Sequence, residues 1–283
     1  MNTHPAIASQ NVAVITGAAS GIGLAAAKKF ASAGMRICMA DINASELEKA
    51  KSEVVALTSS GEADVLTVPV DVSDFPSVEK LKNQVIDSFG QVNVLMNNAG
   101  TALRARTWQD HGRWQTLLNV NLWGAINGVQ AFTEDMIAQG KPACIINTGS
   151  KQGITCPPGN TAYNVSKAGI KALTEGLQHD LRNTEDCQVS AHLLVPGFTY
   201  TGMVSAHMPK KPDAAWLPEQ LVDYMVDRLG DGDFYIICPD NDVTEEIDSK
   251  RILWGAGDIA NKRPALSRWH PDYQQAFADF MKE

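Results

Sequence analysis

Apolar and polar residues fall along this chain in blocks whose period changes in a regular way. The runs at 11–16, 35–40, 65–70, 92–96, 143–148, 189–195 and 234–238 are short and largely apolar, and each gives way to polar residues, glycine or proline. Such runs, apolar at successive rather than alternate positions, predict strands covered on both faces. Between them, apolar residues recur at three- and four-residue spacing, which predicts helices over about 24–33, 45–57, 76–89, 110–138, 162–181 and 218–229. The long helix over 110–138 contains Gly112, Gly124 and Gly128, which close packing against a neighbour would explain. The stretch 202–217 has no clear period and reads as a long loop or lid. Beyond the seventh strand the pattern predicts a helix to about residue 254, an irregular proline-containing stretch, and a short helix over 273–281. Strands alternating with helices predict an α/β fold, a doubly wound, seven-stranded, mostly parallel sheet with helices on both faces. No second core, repeat or low-complexity linker interrupts it. One domain over 1–283 is expected, with a C-terminal extension from about 240 to 283.

The residues that break the apolar runs are chemically pointed. Gly17, Asp41, Asp71, Asn97, Ser150 and Pro196 all fall at predicted strand ends, where ligands bind in sheets of this kind. The loop Thr16-Gly-Ala-Ala-Ser-Gly-Ile-Gly23 follows a strand and opens a helix. Its glycines allow a tight turn and let backbone amides approach a pyrophosphate at the positive helix end, so Gly17, Ser20, Gly21, Ile22 and Gly23 are candidate cofactor contacts. The spacing is Gly-x-x-x-Gly-x-Gly and only approximates the general dinucleotide fingerprint. Asp41 lies 18 residues beyond Gly23, close to the separation expected for a ribose-binding acid. A carboxylate there accepts from the ribose hydroxyls and repels a 2′-phosphate, and neither Ser20 nor Ile42 is a cation that would welcome one. NAD is therefore expected over NADP.

Tyr163 and Lys167 are four residues apart, which stacks them on one helix face. An ammonium beside a phenol favours phenolate. Bringing a tyrosine from about 10 to neutrality takes roughly 4 kcal/mol of differential stabilisation. A lysine supplies part of that, and a bound cationic cofactor more. Taken alone, the pair is an ordinary feature of surface helices. Ser150, 13 residues before Tyr163, puts a hydroxyl within the same stretch.

The formal net charge of −8 and the lack of a basic cluster argue against nucleic acid or an anionic membrane as partner. No apolar run has membrane-spanning length, and the first ten residues do not read as a signal peptide. The five cysteines are widely spaced, with Cys38, Cys144 and Cys238 inside apolar runs, the pattern of buried reduced thiols and of a cytoplasmic protein. The six histidines show no metal-ligand spacing, and no metal is expected.

Six motifs stand in one order: Thr16-Gly-x-x-x-Gly-Ile-Gly23, Asn97-Asn-Ala-Gly100, Val120-Asn-Leu-Trp-Gly124, Ser150, Tyr163-x-x-x-Lys167 and Pro196-Gly-x-x-x-Thr201. In order and spacing they resemble the short-chain dehydrogenase/reductase family over about residues 12–201. The resemblance implies an NAD-dependent alcohol dehydrogenase or carbonyl reductase. It implies Tyr163 as general acid/base, Ser150 as the donor to the substrate oxygen, and Lys167 as the residue that binds the nicotinamide ribose and lowers the tyrosine pKa. It also implies Asn121 as the residue ordering a water in a proton path. Asp71 and Val72 resemble the adenine-binding position, and Asn98, Ala99 and Gly100 the segment behind the adenine-side ribose. Asn97 is either part of that contact or a strand-stabilising amide. Pro196, Gly197, Thr199 and Thr201 resemble the loop that fixes the carboxamide, with Thr199 where Val or Ile is commoner.

By position, Gln152, Ile154, Asn160, Phe198, Met203 and Val204 are candidates to line the substrate pocket, with Trp216 in the lid. They are mainly uncharged, which favours a hydrophobic alcohol or ketone. The C-terminal extension is either packing, over the sheet edge or a subunit contact, or a segment that reaches the mouth of the site. A homo-oligomer, dimer or tetramer, is implied through the helices carrying Asn121 and Tyr163. The competing readings are an NAD-binding sensor or scaffold without turnover, and an epimerase or dehydratase on the same fold.

Overall fold

A computed structural model describes residues 3–282. Among them, seven strands form one parallel sheet in the order β3-β2-β1-β4-β5-β6-β7. The strands are β1 Val12–Thr16, β2 Arg36–Asp41, β3 Val65–Pro69, β4 Val94–Asn97, β5 Ala143–Thr148, β6 Val189–Val195 and β7 Tyr235–Ile237. The order reverses between β1 and β4, and the crevice at such a switch point is where a doubly wound sheet takes its ligand.

The apolar runs are continuous because both faces of the sheet are covered. In β1, Val12 and Val14 belong to one buried cluster, whereas Ala13 and Ile15 belong to the other. Successive side chains of a strand point to opposite faces, so each cluster claims every second residue. On one face lie α1 (Gly21–Ser32), α2 (Ala44–Val55) and α9 (Pro218–Gly230), with Phe30, Leu47 and Met225 in the core. On the other lie α3 (Phe75–Phe89), α5 (Gly124–Ala138) and α7 (Thr161–Arg182), with Leu81, Phe132 and Leu181.

The helix expected over 110–138 is interrupted. Helix α4 (His111–Leu118) runs into a π turn at Asn119–Trp123 and then into α5. One extra residue in a turn displaces the hydrogen-bond ladder by one peptide, and such turns often mark functional positions. Gly128 has the packing reason expected of it: a Cβ there would lie 2.0 Å from Asn97 Oδ1. Gly112 faces open space, so its tolerance reflects exposure and not packing.

The stretch 202–217 is mostly loop but begins with a single turn, α8 (Gly202–Ser205), and folds back so that Thr199 and Trp216 form a parallel bridge. A second single turn, α6 (Gln152–Thr155), precedes α7. The expected C-terminal helix begins later and runs further than its pattern suggested, as α10 (Glu245–Ala260), and α11 spans Gln274–Phe280. This segment has its own small core. Trp254 is buried, packs against Phe277 and Phe280, carries the Arg263 guanidinium 4.0 Å from its ring centre, and donates its indole N–H to Ser267 Oγ at 2.8 Å.

Candidate active site

The glycine loop sits at the carboxyl end of β1. Gly17 and Gly21 have positive φ (68° and 55°), and a Cβ at Gly23 would lie 2.2 Å from the Gly17 carbonyl oxygen, so only glycine fits there. The first turn of α1 holds no acidic residue, and among the described residues the Ser20 side chain makes no cap hydrogen bond. The helix end is thus a cradle of uncapped N–H groups with its positive dipole exposed, which fits a pyrophosphate. Asp41 closes one side, its carboxylate accepting from Ala19 N at 3.1 Å and Asn43 N at 3.0 Å. Ile42 beside it is exposed.

The segment after β4 is tied to the same loop. Thr16 Oγ1 accepts from Asn98 N at 3.0 Å and Ala99 N at 3.1 Å, while Asn98 Nδ2 donates to Thr16 O at 3.0 Å. Thr16 was a motif letter in the sequence; here it links two strand ends. Asn97 is turned away, donating to Asn147 Oδ1 at 2.8 Å, and Asn147 donates in turn to Thr174 Oγ1 at 3.1 Å. Of the two readings of Asn97, the strand-stabilising amide is the one its contacts match. Gly100 lies against Asn121, where a Cβ would be 3.4 Å from Oδ1. Asp71 is exposed and Val72 is held on α5, its carbonyl accepting from Asn127 Nδ2 at 2.8 Å. After β6, Thr201 reaches back to the glycine loop, its side chain 3.3 Å from where a Gly21 Cβ would stand.

Ser150, Tyr163 and Lys167 meet beside this crevice. The Lys167 ammonium is 5.8 Å from the centre of the Tyr163 ring, nearly buried, and donates to Thr148 O at 2.8 Å. Burial pulls the Lys167 pKa down to about 8. The effect expected of it on the phenol is not what the protein alone produces. Burial pushes the Tyr163 phenol up from its ordinary value, and a hydrogen bond with Ser150 acts in the opposite direction without overcoming it. Asn121, in the π turn, uses its side-chain amide as a clasp: Oδ1 accepts from Thr101 N at 2.7 Å and Nδ2 donates to Thr101 O at 2.9 Å.

The substrate-side candidates divide. Ile154 packs with Ile170, Leu193 and Val195. Trp216 lies on the α1/α9 side, edge-on to Tyr224, and donates to Asn241 Oδ1 at 3.0 Å. Both are partly buried and make packing contacts; an apolar side chain beside a motif carries no sign of which way it turns. Asn160 donates to Leu103 O at 3.3 Å, and its Oδ1 is buried without a partner among the described residues. Gln152 and Met203 are exposed, and Phe198 and Val204 are half-buried.

Residues 11–212 match the family model described as short chain dehydrogenase. The chain belongs to the short-chain dehydrogenase/reductase family. It is similar to a 1-deoxy-11-beta-hydroxypentalenate dehydrogenase of Streptomyces exfoliatus, 34% identical over 230 residues that cover 79% of this chain and 81% of that one. Among solved structures it resembles a short chain dehydrogenase/reductase from Burkholderia phymatum in complex with NAD, with a TM-score of 0.80 at 30% identity, covering 90% of this chain and 96% of that one. A metagenomic short-chain oxidoreductase in complex with NADP is also similar, with a TM-score of 0.67 at 28% identity, covering 82% and 98%. Family membership makes this chain an oxidoreductase with a nicotinamide cofactor. Among its described residues no helix is long and apolar enough to cross a membrane.

Proposed function

We propose that the protein interconverts a secondary alcohol and a ketone with NAD. The observation that carries this reading is the convergence of Tyr163, Ser150 and the buried Lys167 beside the uncapped glycine loop. The nicotinamide supplies the hydride acceptor or donor. Tyr163 Oη takes the hydroxyl proton during oxidation and returns it during reduction. Ser150 Oγ donates to the substrate oxygen, where negative charge develops. Lys167 binds the nicotinamide-side ribose and, with the cationic ring bound, helps to draw the raised Tyr163 phenol back toward neutrality.

The choice of NAD rests on Asp41, whose carboxylate lies against the glycine loop at Ala19 and would repel a 2′-phosphate. The exposed Met203 and the half-buried Phe198, in the segment that follows β6, would suit an uncharged substrate. Assembly into a dimer or tetramer is supported by Trp123 and Val165, 51% and 45% exposed on the outer faces of the π turn and α7. A cytoplasmic setting is supported by five free cysteines, of which Cys38, Cys144 and Cys238 are buried.

The test is a panel of secondary alcohols and ketones followed at the absorbance band of the reduced nicotinamide, with NAD and NADP in parallel. Turnover with NAD, lowered about a thousandfold in Tyr163→Phe, is the expected result. Tight NAD binding with no turnover on any of them would make the protein a sensor, and a clear NADP preference would remove the role given to Asp41.

A further inference from the structure

Helix α6 is a single turn of four residues, too short to hold itself together, so its placement depends on what it is fastened to. Ser150 lies two residues before that turn and is hydrogen-bonded to it. Ser150 O accepts from Gly153 N at 2.9 Å, and Ser150 Oγ accepts from Gln152 N at 3.2 Å. Lys151 O accepts from Ile154 N at 3.1 Å and Thr155 N at 3.0 Å. Residues 150–155 therefore move as one piece. On one side the piece is pressed on α7: a Cβ at Gly153 would lie 2.4 Å from the Lys167 carbonyl carbon. On the other side it is fastened by charge.

The Lys151 ammonium lies 2.6 Å from Asp248 Oδ2 and 3.5 Å from Asp240 Oδ2. Asp248 belongs to α10, and Asp240 to the turn just before it. The side chains of Asp240 and Asp248 are only 6% and 7% exposed, and that of Lys151 20%. Asp240 is itself fixed, with Oδ1 accepting from Asp242 N at 3.2 Å and Val243 N at 2.9 Å, and Oδ2 accepting from Phe198 N at 3.1 Å. Arg251 and Arg268, also of the C-terminal segment, act on Asp248 through their charge. A buried ion pair contributes little net stability, because desolvation offsets the attraction, but it fixes geometry.

We propose that Lys151 is a positioning residue for the Ser150 hydroxyl, anchored by Asp240 and Asp248, so that the C-terminal segment supports the active site. The proposal rests on the reading of Ser150 as donor to the substrate oxygen. The C-terminal segment then reaches the site through the residue next to Ser150, without entering the pocket.

The test is a double-mutant cycle between Asp248→Asn and Ser150→Ala in the full-length protein. Glu246→Gln, which removes an exposed ion pair to Lys250 on the same helix, serves as the control. Displacing a reacting group slightly can cost up to about a hundredfold. Asp248→Asn should lower kcat by about tenfold in the wild-type background and by less than about twofold once Ser150 is gone. Lys151→Arg should retain more activity than Lys151→Met, and Glu246→Gln should match wild type. Equal losses from Asp248→Asn in both backgrounds would overturn the proposal. So would a weakened NAD affinity with kcat unchanged, which would place the effect at the Phe198 loop. A substrate-free readout separates failure of the proposal from failure of the functional reading: the phenolate difference spectrum, each protein minus its Tyr163→Phe counterpart. Asp248→Asn should raise the Tyr163 titration as Ser150→Ala does, with no further rise in the double variant. If wild type turns over no alcohol yet this pattern holds, the function assigned to the site fails and the positioning stands. If Asp248→Asn leaves the titration in place, the positioning is overturned whatever the turnover.

Discussion

The two sides of the crevice are built on opposite plans. The nucleotide side leaves polar groups open: the first turn of α1 has no side-chain cap among the described residues, and the Asp41 carboxylate accepts from one backbone N–H of the loop, at Ala19, and one of its own turn, at Asn43. The proton-handling side spends its polar side chains on the protein, with Lys167 on Thr148 O and Asn121 on Thr101. A cradle for a charged, well-hydrated group works by offering donors that water would otherwise occupy. Groups that move a proton gain from being dry and fixed, because both sharpen electrostatics. The crevice thus combines a wet binding edge with a dry reacting edge.

Substitutions should separate the two edges. Tyr163→Phe has the largest expected effect, a fall in kcat of about a thousandfold with NAD affinity unchanged; a retained kcat would take the proton away from this phenol. Lys167 gives a stability effect with a definite sign. Burial lowers its pKa from 10.5 to about 8, so between those values the folded chain has released a proton that the unfolded chain still holds. Its contribution to stability therefore rises with pH across that window, and the cost of burying the charge is complete below about 8. Denaturant unfolding of wild type and Lys167→Met at pH 7 and pH 10 should show the difference moving toward wild type by on the order of 3 kcal/mol. A flat difference would mean that the ammonium is not dry. Asp41→Ala should weaken NAD by about 2 kcal/mol, or about thirtyfold, and leave NADP unharmed, as read by titration with each cofactor. Ile154→Ala should cost about 2 kcal/mol of stability in a denaturation curve while KM stays put. A changed KM would place Ile154 in the pocket.

What the sequence made legible follows from which signals are local. Strands β5 and β6 were readable to the residue, because an apolar run bounded by polar residues or glycine depends on nothing distant. The stacking of Tyr163 over Lys167 was legible for the same reason, as both lie on α7. The π turn at Asn119–Trp123 was not, since one extra residue leaves the apolar spacing on either side within a helical pattern. Ile154 and Trp216 were assigned by proximity to motifs, and side-chain direction depends on neighbours from other elements. Lys151 carried no signal in the sequence, because its partner Asp240 is 89 residues away, in a turn with no motif of its own. The upward push of burial on the Tyr163 phenol was not legible, because charge spacing is visible in a sequence and desolvation is not.

The two outermost strands carry a further consequence. β7 is only three residues long, and β3, at the other end of the sheet, stops at Pro69, which has no N–H to donate. A sheet edge is a template for aggregation, and short or proline-ended edges blunt it. With both rims curtailed in this way, the sheet gives an incoming strand little to pair with. In concentrated solution the protein should resist fibril growth by strand addition, and thioflavin fluorescence of the folded form on prolonged incubation should stay at baseline.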